Sequence, residues 1–223
     1  IRFIPGVVPA IYWLIQMWTQ KEESVLIMPP VYYPFFNSIK ETGRQLVECP
    51  LLKEDEHYKM DIELFENKIL TENVKVFILC SPHNPVGRVW TKKELQAVLD
   101  ICKKYGVYVI ADEIHQDIIM SGYEKVTAAT CGNYDEYLIT LTSASKSFNI
   151  AGFQCAYAII PNAKMREDYD RLAKKLHFTE GNSFSYIATQ AVYEHGRPWL
   201  ESVCNIVESN YYYLKNELKK VLS

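Results

Sequence analysis

The sequence lacks the features that mark membrane, nucleic-acid-binding and disulfide-rich proteins. No apolar run approaches the roughly 20 residues that cross a bilayer. No basic run occurs, and the net charge of −3 weakly disfavours nucleic-acid binding. The six cysteines are scattered without a C-x-x-C pair, which predicts free thiols and a cytoplasmic location. The patterns G-x-G-x-x-G and G-x-x-x-x-G-K-[ST] are also missing, so we expect no dinucleotide or P-loop site.

The composition is that of an ordinary globular chain with a large core. Of the 223 residues, 48% are hydrophobic and 23% are charged, which is typical of soluble domains. A chain of this length can bury roughly 70% of the surface that its unfolded form exposes. The sequence starts at Ile1 without an initiator methionine and stops at Ser223 inside a helical pattern. We therefore interpret it as an internal piece of a longer protein.

Short apolar runs alternate with amphipathic segments along the chain. Buried strands are predicted at 24–30, 74–80, 107–113, 136–143 and 154–160, and helices at 7–20, 61–70, 91–106, 163–176 and 185–222. Thr91 and Glu94 have the spacing of a capping box, and Gly106 is expected to end that helix. The alternation of strands that are apolar on both faces with helices predicts a three-layer α/β/α fold with a mainly parallel sheet.

Polar side chains follow four of the predicted strands. Ligands of parallel α/β sheets bind at the carboxyl ends of the strands, so we expect these side chains to meet at one edge. They include an amine, a carboxylate, an imidazole, an amide, aromatic rings and hydroxyls. The residues concerned are Tyr32, Tyr33, Asn84, Asp112, His115, Ser143, Ser145 and Lys146.

This set of side chains suits pyridoxal 5′-phosphate (PLP). The cofactor needs a lysine for a Schiff base and a carboxylate against its pyridine nitrogen. An anion within ~4–6 Å favours the protonated form of that nitrogen by ~1–3 pKa units. Taken alone, Lys146 is more typical of a surface amine and Asp112 of a turn. Their joint order and placement favour a cofactor site in which desolvation of the lysine amine keeps it neutral.

Three motifs, in this order and spacing, resemble the fold-type I PLP enzymes of the aminotransferase superfamily. They are "SPHNPVG" at 81–87, "ADEIHQD" at 111–117 and "SASKSFNIAG" at 143–152. The resemblance runs from about Gly6 to the end of the chain. Within the superfamily the chain looks most like the bacterial cystathionine β-lyase or C–S lyase subgroup. The subgroup features are "DEIH" at 112–115, "SKSFN" at 145–149 and "EHGRPWLESV" at 194–203.

The resemblance implies a role for each matching side chain around the cofactor ring. Lys146 would be the catalytic residue, binding the cofactor and moving protons. Asp112 would pair with the pyridine nitrogen. Asn84 would bond the ring oxygen, and His115, where many aminotransferases have a tyrosine, would face the same oxygen. Tyr32 would stack on the ring.

The resemblance also implies how the phosphate is held. Ser143 and Ser145 would bind it, together with the backbone amides of Val7 and Val8. Many aminotransferases have an arginine eight residues after the lysine, where this chain has Gln154. Hydroxyls, amides and a partner subunit would then hold the phosphate, as in the lyase subgroup.

The resemblance further implies a division of the chain and a dimer. Residues 1–195 would form the PLP-binding large domain without its N-terminal segment. Residues 196–223 would begin the helix that leads to a C-terminal small domain, which in this family carries the arginine that grips the substrate carboxylate. No arginine of this chain matches that arginine by motif, so we expect the chain by itself to be inactive. The parent protein would be a homodimer acting on a small amino acid, with no metal, nucleic acid or membrane involved.

Two enzymatic functions and one binding function are compatible with these residues. The first is a C–S β-lyase that converts a cysteine thioether, with L-cystathionine as the natural candidate, to a thiol, pyruvate and ammonia. The second is an aminotransferase that uses the same lysine. The third is a regulatory binding protein on the same fold, which the set Lys146, Asp112 and Asn84 disfavours. His115 and the segment at 194–203 favour the lyase.

Overall fold

Strands and helices alternate along residues 1–222, the part of the chain that the computed structural model describes. The strands are β1 (Arg2–Ile4), β2 (Ser24–Ile27), β3 (Gln45–Glu48), β4 (Leu52–Glu54), β5 (His57–Lys59), β6 (Val74–Cys80), β7 (Tyr108–Asp112), β8 (Leu138–Thr142) and β9 (Ala156–Ile159). The α-helices are α1 (Val7–Trp18), α2 (Pro34–Glu41), α3 (Ile62–Thr71), α4 (Lys92–Tyr105), α5 (Ala144–Ser147), α6 (Ala163–Lys175), α7 (Ser183–His195) and α8 (Arg197–Leu222). Single 3-10 turns lie at Ala128–Thr130 and Ala151–Phe153.

Seven of the strands form one sheet in the order β1-β9-β8-β7-β6-β2-β3. The neighbours from β3 to β8 are all parallel, and β9 runs antiparallel to both β8 and β1. The predicted mainly parallel sheet is therefore confirmed. Strands β4 and β5 form a separate antiparallel hairpin.

Helices cover both faces of the sheet, as the three-layer prediction requires. On one face α3 and α4 pack with Phe65, Phe77 and Leu99 in the core. On the other face α1, α2 and α6 pack around Ile11 and Phe35. Because both faces are covered, the central strands are buried along nearly their whole length.

Capping residues in the sequence mark the ends of several helices. Thr91 and Glu94 form the reciprocal hydrogen bonds of a capping box at the start of α4. Gly106 follows α4 with φ of 68°, in the left-handed region that glycine adopts at low cost. The predicted helix at 185–222 is divided in two in the structure, because α7 ends at His195 and α8 begins at Arg197.

Several short elements were not predicted. Strand β1 is three residues long and β3 four, too short for a clear apolar alternation. Helix α2 begins at Pro34, which suits the first helical turn because proline has no N–H to satisfy there. No helix within residues 1–222 is long and apolar enough to cross a membrane.

Candidate active site

Three parallel strands end at one edge of the sheet and bring their polar segments together. Cys80 of β6 pairs with Asp112 of β7, which in turn pairs with Leu141 of β8. Just beyond the strands, the Ser81 N–H donates to the Asp112 carbonyl at 3.0 Å, and the Glu113 N–H donates to the Leu141 carbonyl at 2.9 Å. The loops that follow β6 and β8 are therefore adjacent to the end of β7.

Asp112 is a buried carboxyl group at the centre of this edge. Only 5% of the residue is exposed, and one carboxyl oxygen accepts the Ile114 N–H at 3.1 Å. Burial raises the pKa of Asp112 to about 7, although the Ile114 N–H and the charge of Lys146 oppose the shift. An ionised carboxyl in such a place needs a cationic partner. A protonated ring nitrogen fits this requirement.

Lys146 lies on α5, directly beyond β8. Its positive charge lowers the pKa of both Asp112 and His115, so the three side chains share one site. The side chain itself is exposed in this chain. The expectation that a closed pocket desolvates the amine is therefore not met by residues 1–222 alone.

The serines on either side of Lys146 hold α5 in place. Ser143 is buried; its hydroxyl accepts the Ser145 N–H at 3.0 Å and donates to the Cys155 carbonyl at 2.7 Å. Ser147 is also buried, and its hydroxyl donates to the Asp117 carboxylate at 2.9 Å.

His115, Tyr32 and Asn84 lie on loops around Asp112. Burial lowers the pKa of His115, and Lys146 lowers it further, so the imidazole is neutral at physiological pH. Tyr32 is half-buried beside Phe35, and burial raises the pKa of its hydroxyl, with contributions from the charges of Tyr33 and Asp112. Asn84 is half-buried and follows β6. Its carboxamide forms no hydrogen bond within residues 1–222 and can serve a ligand.

The start of α1 offers backbone donors for an anion. The helix has no side-chain cap, and the Ala10 N–H is the first to bond back, to the Gly6 carbonyl at 3.3 Å. Pro9 has no N–H, so Val7 and Val8 carry the donors of the first turn. Such a turn is a favourable site for phosphate. Since β1 is parallel to β8, α1 begins at the same edge of the sheet as α5.

The two serines predicted to hold the phosphate differ in their surroundings. The Ser143 hydroxyl is buried and already engaged as both donor and acceptor. Ser145 is half-buried, which leaves it better placed for a ligand. Gln154, in the place of the usual arginine, is exposed and has a φ of 50°. Phosphate binding by these side chains stays a prediction.

A buried histidine that sequence reasoning did not assign ties two of these loops together. His83 is 2% exposed, and its Nε2 lies 3.1 Å from the Pro30 carbonyl oxygen. Burial lowers its pKa to about 4, so the neutral ring donates through Nε2. This bond connects the segment before Tyr32 to the segment that carries Asn84. The sequence feature that could have identified His83 is its position inside "SPHNPVG", next to Asn84.

Asp117, Gln116 and Ser147 were also missed. Gln116 donates to the Thr142 hydroxyl at 2.9 Å, and Ser147 donates to Asp117. All three lie within or beside the motifs at 111–117 and 143–152. Their motif positions were visible in the sequence, but their contacts depend on how the loops fold together.

Comparisons with known proteins agree with the fold. The family model for aminotransferase class I and II matches residues 1–222. The cystathionine β-lyase PatB of Bacillus subtilis is 35% identical over 226 residues, which cover 99% of this chain and 58% of that protein. The chain thus spans a little over half the length of this relative.

Two solved structures are similar over nearly the whole chain. A PLP-bound C–S lyase from Staphylococcus hominis has a TM-score of 0.93 and 36% identity, covering 99% of this chain and 55% of that one. A PLP-bound protein from Clostridium difficile 630, provisionally assigned as an aminotransferase, has a TM-score of 0.94 and 41% identity, covering 98% and 57%. Both belong to the fold that the sheet order describes.

Proposed function

Because the chain belongs to the aminotransferase class I and II family, we propose that the full-length protein is a PLP-dependent C–S β-lyase. Its substrate would be a small cysteine thioether such as L-cystathionine, and its products a thiol, pyruvate and ammonia. The observation that carries this proposal is the buried Asp112 at the end of β7, next to β8, the strand that Lys146 follows. The similarity to PatB and to a C–S lyase supports elimination as the reaction.

The residues at the edge fit PLP. Asp112 would pair with the pyridine nitrogen, because a cation there relieves the cost of an ionised carboxyl in a buried place. Asn84 and His115 would bond the ring oxygen, and Tyr32 would cover one face of the ring. When bound, PLP supplies an aldehyde for amines and a ring that accepts electron density from the substrate Cα.

The phosphate would lie at the start of α1. The N–H groups of Val7 and Val8 would donate to it, with the hydroxyls of Ser145 and Ser143 nearby. The positive end of the helix dipole adds to these bonds. Gln154 stands where many aminotransferases have a phosphate-binding arginine, and the three motifs contain no arginine. Backbone amides would therefore supply most of the phosphate binding.

Lys146 would move the proton that elimination requires. As a neutral amine it takes the proton from the substrate Cα, and the C–S bond breaks with its electron pair on sulfur. The resulting ammonium then donates a proton to the departing thiolate. His115 has a lowered pKa and stays neutral, so it acts as a hydrogen-bonding group rather than as a charge. General acid–base transfer of this kind contributes about 10²–10⁴-fold to a rate.

An aminotransferase is the second candidate, and the similarity to the Clostridium difficile protein favours it. It would use the same lysine and the same carboxylate. A binding protein on this fold is the third. The full-length protein should be incubated with PLP and L-cystathionine, and pyruvate measured beside keto-acid exchange. Pyruvate release supports the lyase, exchange without pyruvate supports the aminotransferase, and a protein that stays colourless with PLP supports the binding role.

Borohydride reduction of the PLP-loaded protein tests the site itself. We expect the label on the peptide that contains Lys146. A label on Lys125 or Lys164, with none on Lys146, would contradict the proposed site. Both of those lysines form surface ion pairs in this structure, with Asp117 and Asp168.

We also propose that the full-length protein is a homodimer in the cytoplasm. Helices α7 and α8 expose large apolar side chains, including Phe184, Trp199 and Tyr213, and aromatic residues of this kind are enriched at interfaces. All six cysteines are free thiols, which suits a reducing compartment. Sedimentation of the full-length protein tests the dimer, and a stable, active monomer would contradict it.

A further inference from the structure

The carboxylate of Asp117 connects the loop after β7 to the helix that carries Lys146. One of its oxygens accepts the Ser147 hydroxyl at 2.9 Å, and the other accepts Lys125 Nζ at 2.9 Å. Ser147 directly follows Lys146 and is fully buried. Asp117 lies five residues after Asp112, in the loop that follows β7. The bond therefore joins the segment of the buried carboxyl to the segment of the amine.

Helix α5 depends on side-chain bonds for its position. It has four residues and closes a single backbone turn, which is too short to be stable on its own. Ser143 ties its start to the Cys155 carbonyl, and Ser147 ties its end to Asp117. The direction in which Lys146 leaves this helix is set by these two attachments. The attachment through Asp117 is the charge-assisted one and so the stronger type.

We propose that Asp117 is a positioning residue for Lys146. It acts through Ser147, fixing the end of α5 against the loop that follows Asp112 and carries His115. The inference rests on the proposed function, in which Lys146 is the catalytic amine. Asp117 itself bonds to Ser147 and Lys125 and is not assigned to the cofactor.

The surroundings of Asp117 favour a specific role over a general structural one. The neighbouring Gln116 forms its own bond to Thr142 at 2.9 Å, so the loop stays attached to β8 when the carboxylate is removed. The charged or titratable groups near Asp117 include Lys125, Tyr157 and Tyr193, and the Cys204 thiol on α8 lies 3.8 Å from its backbone carbonyl oxygen. Removing the carboxylate should therefore loosen the end of α5 without unfolding the sheet.

The first test measures amide hydrogen exchange in the full-length protein without cofactor. In Asp117→Ala and in Ser147→Ala we expect residues 143–149 to exchange about tenfold faster, because a hydrogen bond to a charged group is lost. Ser121→Ala is the matched control. Its hydroxyl also donates to a carboxylate, Glu208, at 2.7 Å from the same loop, but it does not touch α5. Unchanged exchange in both variants would overturn the proposal.

The second test uses the PLP-loaded protein. In Asp117→Ala and Ser147→Ala we expect kcat/KM for the amino-acid substrate to fall about tenfold. When the visible absorbance of the PLP-loaded protein is titrated against pH, we also expect the midpoint of the titration to differ from that of the parent. The double variant should be no worse than Asp117→Ala alone, since each of these variants breaks the same bond between Ser147 and Asp117. Asp117→Asn, which keeps an acceptor for Ser147, should restore part of the loss. Additive losses, or a midpoint equal to that of the parent, would overturn the proposal.

The outcome separates this inference from the proposed function. If borohydride labels Lys146 in the parent and the variants behave as the parent does, the positioning role of Asp117 is wrong and the function stands. If the parent carries no label on Lys146, the proposed function is wrong. In that case the exchange measurement still decides whether Asp117 and Ser147 hold α5.

Discussion

The carboxyl edge of the sheet and the two C-terminal helices differ in how their side chains are covered. At the edge, Asp112, Ser143 and Ser147 are buried and bonded by other parts of the same chain. Along α7 and α8, large apolar side chains such as Ile187 and Leu214 are more than half exposed. Polar side chains are therefore buried at the edge of the sheet, whereas apolar side chains are exposed to solvent on the two helices.

The difference shows where this chain is complete in itself. The central strands of the sheet and the inward sides of their covering helices are buried within this chain. The amine of Lys146 is exposed, and so is the apolar side of α7 and α8. Exposed aromatic and apolar side chains of this kind are enriched at interfaces, in agreement with the proposed dimer.

The largest effect is expected at an exposed residue of the edge. In the full-length protein, Lys146→Ala should lower the rate of thiol release by about 10³-fold or more, because the amine that takes and returns the proton is lost. Bound PLP should persist through Asp112 and the phosphate contacts. The measurement is pyruvate formation from L-cystathionine, with Lys164→Ala as the control, because Lys164 pairs with Asp168 on α6. A variant that keeps more than a tenth of the parent rate would break the assignment.

The next effect contrasts the core of the sheet with α8. Phe77→Ala should lower the free energy of unfolding by about 3–5 kcal/mol, because Phe77 is fully buried in β6 and packs against Phe65. Leu214→Ala, at a position that is 56% exposed, is the matched aliphatic truncation on α8. Urea unfolding of the 223-residue chain measures both. Equal losses would show that the two regions are not as different as the structure indicates.

The third effect depends on pH and belongs to Asp112. Its pKa rises from an ordinary value of 3.8 to about 7 in the fold, so the folded state holds a proton that the unfolded state loses. Stability without cofactor therefore falls as pH rises from about 4 to about 7. Asp112→Asn removes this cost and should be about 2–4 kcal/mol more stable than the parent at pH 8. Near pH 4 the two should be equal.

The matched control for that prediction is Asp135→Asn, at an exposed aspartate. Urea unfolding at pH 4.5 and pH 8 gives the comparison. The pKa of Glu113 is also raised to about 7 by burial. Glu113 therefore makes the stability of both the parent and the variant fall as pH rises, and this contribution cancels in the comparison. A parent as stable as Asp112→Asn at pH 8 would contradict the buried, unpaired carboxyl. Added PLP should favour the parent instead.

The smallest effect is expected on the exposed side of α8. In the 223-residue chain, Tyr213→Ser should change the free energy of unfolding by less than about 0.5 kcal/mol, since Tyr213 is 64% exposed. In the full-length protein the same change should weaken self-association if this face is the proposed interface. Sedimentation against concentration gives that measurement. An unchanged dimer would remove α8 from the interface.

Much of the fold could be predicted because long elements carry strong periodic signals. Strand β6 was predicted at its observed bounds, and α4 within one residue at each end, since Thr91, Glu94 and Gly106 mark its ends. The edge strand β1 and the four-residue helix α5 were not predicted. Elements this short have no periodicity of their own and exist because their neighbours hold them.

The sequence by itself determined the alternation of strands and helices, the edge at which polar groups gather, and the motifs around Asn84, Asp112 and Lys146. These follow from local pattern and from the rule that parallel strands end together. Only the tertiary structure decided that Asp112 is buried with a raised pKa, and that Ser147 bonds to Asp117. Those properties depend on which distant segments approach each other. The bond between Ser147 and Asp117, for example, joins residues 30 positions apart, and no local pattern encodes such a contact.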